Sequence, residues 1–363
     1  MITRRIRSRA ACCYCFRMLR SPAVLLAIAV TACNRSPSDA QLKAWLDEAN
    51  HEEQSLKARG GPAQATKWTL AVRGNVRDGA VDFPWPRIAA LAKTHLSTAN
   101  PGHTADLNAV LDYKGIKISD LLDLSGAREV AGPGGGEVTI IALDGFLHSV
   151  SIADLHKYPI LLAIEENGVP LVKKSGGPLL EIVPHTTHPE SKALLPEGGA
   201  FYVTTLIVGT EPAALSIGTK RFGLKELDAL PAHTLEGKVA FRFRWPSEVV
   251  KLHGPLLRDV LAAATASVKP GDRVRVRRKK RTDVPEREVT ELAAEEVLGC
   301  DVIVGLRSGE QKSLIPAGLG GPVVLAFPPS CAKAGAGQAW PVFVEAIEVA
   351  PGAAAAQAKG SAR

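Results

Sequence analysis

Apolar positions in this chain come in short runs, about four to eight residues long, separated by glycine, proline and charged turns. That pattern predicts strands, with helices few and short. The run Trp68-Thr69-Leu70-Ala71-Val72-Arg73-Gly74 reads as a strand, as do Leu111–Ile116, Glu137–Leu143 and Ile160–Ile164. Asp144-Gly145 and Asn167-Gly168 read as hairpin turns. A short amphipathic helix is predicted over 39–58, with Leu42, Trp45, Leu46 and Ala49 on one face, and another over 119–125, closed by Gly126. The stretch ends at Ser175-Gly176-Gly177-Pro178, leading into Leu179–Pro184.

From Phe201 the order returns. A strand over 202–209 is followed by Val250–Pro255, a helix over Leu256–Leu261, a strand over Arg273–Arg277, then Asp301–Gly305 and Gly320-Gly321-Pro322. Landmark spacings repeat: Gly74 to Gly115 is 41 residues and Gly209 to Gly254 is 45, while Gly115 to Pro178 is 63 and Gly254 to Pro322 is 68. A strand-rich unit written twice accounts for this better than chance. Short β runs broken by Gly and Pro predict an α+β fold with mixed, mostly antiparallel sheets. The expected divisions are a leader over 1–32, a tether and short helix over 33–66, one domain over 67–195, a diverged copy over 200–348, and a disordered tail over 349–363.

Of the 363 residues, 46% are hydrophobic and 22% charged, which is globular composition. The net charge of +7 is local: residues 1–32 hold six Arg, no Lys and no acid, so the remainder has 38 basic against 37 acidic residues, or +1. A nucleic-acid partner is not supported by that balance. The apolar run Ala23–Val30 is too short to span a bilayer and fits a signal segment. Thr31-Ala32-Cys33 at its end resembles the lipobox of bacterial lipoproteins. The resemblance implies lipidation at Cys33, a membrane partner through that anchor, and a place on the periplasmic face of the envelope, with Asn34 favouring the outer membrane. Met18 offers a more compact start than Met1, which would leave Cys12, Cys13 and Cys15 outside the protein. In an oxidising compartment Cys300 and Cys331 are then either a disulfide or two buried thiols.

Five ordered blocks carry a further resemblance: Tyr113-Lys114-Gly115-Ile116 with Asp120-Leu121-Leu122, Ala142–Phe146, Tyr158–Ala163, Asn167–Leu171, and Gly176-Gly177-Pro178-Leu179 ending in Val183-Pro184. Over roughly residues 67–190 the chain resembles the sulfite-oxidase-type molybdopterin-binding domain. The second stretch resembles it more weakly, through His253–Asp259 and Gly320-Gly321-Pro322. Such enzymes hold molybdenum through a cysteine thiolate, a soft and strongly donating ligand. The corresponding segment here, residues 94–103, contains no Cys, and none occurs from 34 to 299. Ser97 and Thr98 are poor substitutes, since an alcohol is rarely ionised near neutral pH. No cofactor is therefore expected, although the resemblance leaves a place for a molybdopterin.

The expected ligand site uses His95, Asn100 and His103 from one Pro-Gly loop together with Lys174, Gly176 and Gly177, whose cation and freed amides suit an anion. The alternative for Gly176-Gly177-Pro178 is a tight turn before a core strand. His185 and His188 have metal-compatible spacing without neighbouring ligands, and read as a surface loop. The run Arg273–Arg281 reads as a strand with a basic outer face, balanced by Glu286, Glu288, Glu291, Glu295 and Glu296. The function that emerges is an envelope lipoprotein module for a small anionic ligand or an envelope protein. A molybdopterin-dependent oxidoreductase with a non-thiolate site and a structural assembly platform are the alternatives. No Cys-x-x-Cys-His occurs, so a redox partner would be a separate protein.

Overall fold

The computed structural model describes residues 68–351 except 101–108, 130–134, 144–145, 173–174, 195–198, 238–248, 280–288, 329–330 and 332–339. The expected signal segment, Cys33 and the expected helix over 39–58 lie outside the described residues. In the first half, β1 (Thr69–Gly74) and β2 (Ala80–Pro84) form a hairpin before α1 (Trp85–Leu91). Next come β3 (Thr94–Ala99), β4 (Val110–Lys117) and α2 (Ile118–Ser125), then the hairpin β5 (Glu137–Ala142) and β6 (Leu147–Ser151). α3 (Ile152–Lys157), β7 (Leu161–Glu166), β8 (Val169–Pro170), β9 (Leu180–Ile182) and β10 (Val203–Val208) complete it.

The second half runs through β11 (Ala214–Ile217), β12 (Lys220–Gly223), α4 (Leu224–Asp228), β13 (Ala232–Gly237) and β14 (Val250–Pro255). It continues with α5 (Leu257–Ala263), β15 (Arg273–Arg278), β16 (Val289–Ala293) and α6 (Ala294–Leu298). Short strands β17 (Ile303–Gly305), β18 (Arg307–Ser308), β19 (Ser313–Leu314) and β20 (Val324–Ala326) precede β21 (Val344–Ala350).

The fold is α+β, with several sheets, mostly antiparallel, and few short helices. One five-stranded sheet has the order β2-β1-β10-β5-β6 and another β12-β11-β21-β15-β16. In each, the first strand of the half pairs parallel with the last, β1 with β10 and β11 with β21, and every other pairing is antiparallel. Individual hydrogen bonds correspond as well. Tyr202 N–H donates to Gly176 O at 2.9 Å, and Phe343 N–H to Gly320 O at 2.7 Å. Leu143 N–H donates to Tyr202 O and Lys279 N–H to Phe343 O, while Gly177 N–H reaches Val172 O and Gly321 N–H reaches Pro316 O. Pro178 and Pro322 both follow a cis peptide bond, and Tyr202 and Phe343 both have φ near +55° (56 and 54).

Two boundaries differ from those expected. The strand assigned to the start of the second stretch, 202–209, is β10, and it closes the first sheet between β1 and β5. Gly74 and Gly209 are therefore neighbours on parallel strands and not equivalents; Gly74 lies opposite Val208. The reason is that a parallel pair cannot be joined by a tight turn, so the partner of β1 lies a whole crossover away in sequence. At the other end Val349 and Ala350 belong to β21, where they pair with Val274 and Arg273, and not to a tail.

Described residues all fall within one compact unit, Pro62–Arg363. Its interior has one core cluster around Leu70, Val72, Ile140 and Leu206, and a second around Leu215, Val274, Val304 and Ile347. Ile141, Leu147 and Ile207 of the first half pack into the second cluster. A small third cluster, with Leu96, Tyr113, Leu161 and Ile182, lies along one face of the β3-β4-β7-β8 sheet.

Candidate functional site

The segment where the resemblance puts the metal-binding cysteine, 94–103, is described as far as residue 100 and opens with β3, where strand alternation decides what the side chains can do. His95 and Ser97 face outward, opposite Lys114 and Asp112 of β4. Ser97 Oγ donates to Asp112 Oδ1 at 3.2 Å, and His95 Nδ1 lies 3.2 Å from Asp112 Oδ2, with the His95 side chain 60% exposed. Thr98 faces inward, and Asn100, directly after the strand, is 5% exposed.

The inward face holds a polar cluster. Tyr113 is fully buried among apolar neighbours, with its hydroxyl against the Asn100 side chain and the Glu166 carboxylate. Burial, and then the Glu166 charge, push its pKa well above the ordinary phenol range, so the hydroxyl stays protonated. The end of β3 is stitched to the 183–186 segment: Thr98 Oγ1 donates to Val183 O at 3.4 Å and Ala99 N–H to Thr186 Oγ1 at 2.9 Å. Next to Thr186, His185 is 6% exposed, and burial, followed by the Lys192 charge, lowers its pKa. Asn100, Tyr113 and Glu166 bring a carboxamide, a protonated phenol and a carboxylate together, groups that make hydrogen bonds. They include no soft donor.

The expected site residues do not assemble as one set. His95 and Asn100 lie on opposite faces of β3. His103 and Lys174 lie outside the described residues. Gly176, at φ +79°, and Gly177 are set by packing: a Cβ on Gly176 would meet the Phe201 ring at 2.5 Å, and one on Gly177 the Leu171 carbonyl at 2.5 Å. The Gly177 amide is already spent on Val172 O at 2.9 Å, so it has no proton for a pyrophosphate. This is the tight-turn alternative, and Gly320-Gly321 repeats it against Val342 and Ile315. His185 and His188 also separate, since His188 packs edge-on against Tyr158, 5.6 Å between ring centres, and lies 3.6 Å from Glu190. No group of three or more His, Cys, Asp or Glu capable of holding a metal ion occurs among the described residues. Cys300 and Cys331 form a disulfide, with Cα atoms 5.8 Å apart.

Reading the sequence missed two features. Glu166 closes the Tyr113 cluster because the Lys114/Gly115 bulge brings it opposite Tyr113 across β4 and β7. His148 and Glu181 form a buried pair, Nε2 to Oε2 2.6 Å, and the Ala200 amide donates to the same oxygen at 3.1 Å. Their separation of 33 residues left no local signal beyond a histidine within an otherwise buried strand.

Comparison with known proteins adds a domain-level match. Residues 59–191 match the family model described as the oxidoreductase molybdopterin binding domain. Among solved structures, the chain is similar to the sulfane dehydrogenase SoxCD from Paracoccus pantotrophus, at 12% identity and a TM-score of 0.31. That alignment covers 64% of this chain and 65% of the other, so it spans a little less than two thirds of that chain's length. No curated protein matches.

The donor set can be tested against the group this domain type implies. Residues 59–191 contain no cysteine, Ser97 Oγ is engaged by Asp112, and the glycine turn is closed by Phe201 and Leu171. These residues do not fit a thiolate-held molybdenum centre.

Proposed function

We propose that this chain is an envelope lipoprotein in which a molybdopterin-binding-type domain and a diverged second copy serve as a binding module rather than a molybdenum redox enzyme. The observation that carries the reading is the missing thiolate. Over the whole matched span, 59–191, no side chain is both soft and anionic, and the serine on β3 donates its proton to a carboxylate. The Asn100–Tyr113–Glu166 cluster with His185 supports a polar ligand or partner at the end of β3. The corresponding sheet orders and hydrogen bonds of the two halves support the second copy. Lipidation at Cys33 and a place on the periplasmic side of the envelope, outer membrane favoured, belong to the same proposal and rest on the Ala23–Cys33 pattern.

The test is metal analysis with pterin fluorescence on the full-length protein purified from its own envelope after growth with molybdenum. The expected result is neither molybdenum nor pterin in stoichiometric amount. Near-stoichiometric molybdenum would overturn the reading in favour of an oxidoreductase with a non-thiolate site. Mass spectrometry of the same preparation checks for a lipid-modified Cys33 at the N-terminus, and an unmodified N-terminus at another residue would remove the anchor.

A further inference from the structure

The second five-stranded sheet lies outside the matched span, 59–191, and its outer face carries arginines. Across its strands one register row reads Arg221 (β12), Ser216 (β11), Ala346 (β21), Arg277 (β15) and Val289 (β16). The row at the same place in the first sheet reads Asp82, Ala71, Thr205, Ile141 and Leu147. There the face is covered: Ile141 and Leu147 belong to the core of the second half, and Gly318 lies against Ser149. In the second sheet Arg221, Arg277 and Val289 of the row are exposed and Ala346 between them is buried, so arginine stands where the first sheet has a buried isoleucine.

A cavity of about 230 Å³ lies on this face. Its floor is small or apolar, with Ala214, Ser216 and Val344, while Arg221 rises on one side and Arg277 and Lys279 on the other. Arg221 and Arg277 are three strands apart, so their Cα atoms are separated by about 14 Å and their side chains can close on an ion held between them. The lining charges are three positive against two negative, Glu211 and Glu345. Glu211 is buried and paired with Lys279. Glu345 meets Arg277 Nε at 3.3 Å and Glu348 meets its Nη1 at 3.6 Å. Arg221 has no ion-pair or hydrogen-bond partner among the described residues, although it lines both this cavity and a larger adjoining one of about 650 Å³.

We propose that this trough is a binding site for a phosphate monoester, with Arg221 and Arg277 gripping the phosphate over Ser216. A planar carboxylate is satisfied by one guanidinium fork, whereas donors arriving from two sides and from the floor suit a tetrahedral dianion. The adjoining cavity, bounded by Asp78, Gly223 and Glu226, has room for the esterified group.

The test is calorimetric titration of the full chain with inorganic phosphate at low ionic strength. Saturable binding at one site is expected. Arg221→Ala should weaken it about tenfold or more, since a charge-assisted contact is lost. Arg275→Ala is the control: it removes an equal charge from the same face, but Arg275 pairs with Glu291 at 2.7 Å and does not line the cavity. Unchanged binding in that variant is expected. Binding that never saturates, or an equal loss in both variants, would reduce the trough to a diffuse cationic surface and overturn the site. Both substitutions are on exposed side chains, and unchanged melting temperatures show that the variants are folded. Flotation of the Cys33→Ser chain, which carries no lipid of its own, with vesicles containing phosphatidic acid identifies the source of the phosphate. Co-flotation that phosphate competes away assigns it to a lipid headgroup, and phosphate binding without co-flotation assigns it to a soluble ester.

Discussion

Glu181 shows how one side chain can hold several elements together. Its carboxylate accepts from His148 and from the Ala200 amide inside the protein, with Glu181 itself 0% exposed. Glu181→Ala leaves both donors without an acceptor, and the expected cost is about 3 kcal/mol in urea unfolding. Glu181→Gln keeps one acceptor oxygen and should cost less than half of that. His185 sets a pH dependence. Burial and Lys192 hold its folded-state pKa below the ordinary 6.5, so below that pH the unfolded chain binds a proton that the folded chain refuses. Stability should therefore fall as pH drops from about 6.5 until the depressed pKa is reached. Melting temperatures across about pH 5 to 8 check this, and His185→Gln should flatten the slope over that window.

At the scale of elements, close approach decides which substitutions are tolerated. Gly115 on β4 and Gly254 on β14 occupy matching positions, and a Cβ at either would run into a backbone carbonyl, Leu162 O or Val304 O. Alanine at either position should cost about 1–3 kcal/mol, read as a shift in the urea midpoint at unchanged slope. The disulfide links the end of α6 to the segment after β20 across 31 residues. Replacing both cysteines with serine should lower stability by roughly 3–4 kcal/mol, and reductant should then have no further effect. Legibility varied with range at this scale. Strands β1, β5 and β14 and helix α2 follow directly from local runs and from Gly126 at φ +63°, because alternation and a left-handed cap are local properties. The short strands β8, β18 and β19 were not separately legible, since two residues carry no periodicity.

At the scale of the whole molecule, the halves are not independent. Ile141, Leu147 and Ile207 of the first half pack into the core of the second, and the Ala317 amide donates to Gly209 O at 3.1 Å. A single calorimetric transition is expected for the residues from 62 onward, with van't Hoff and calorimetric enthalpies equal. A chain ending at residue 209 should expose those three side chains and be recovered aggregated or partly folded.

By itself, the sequence determined the fold class, the succession of strand runs, the two Gly-Gly-Pro turns and the absence of any cysteine in the matched domain. These depend on composition and short-range spacing, which need no partner. Tertiary structure alone decided that β10 closes the first sheet, that His95 and Asn100 point to opposite sides, and that Gly176-Gly177 packs against Phe201 and Leu171. It also decided that Arg221 and Arg277 share one face. The reason is physical: pairing across a sheet joins residues separated by a whole crossover, and no local pattern records which strand that crossover will return beside.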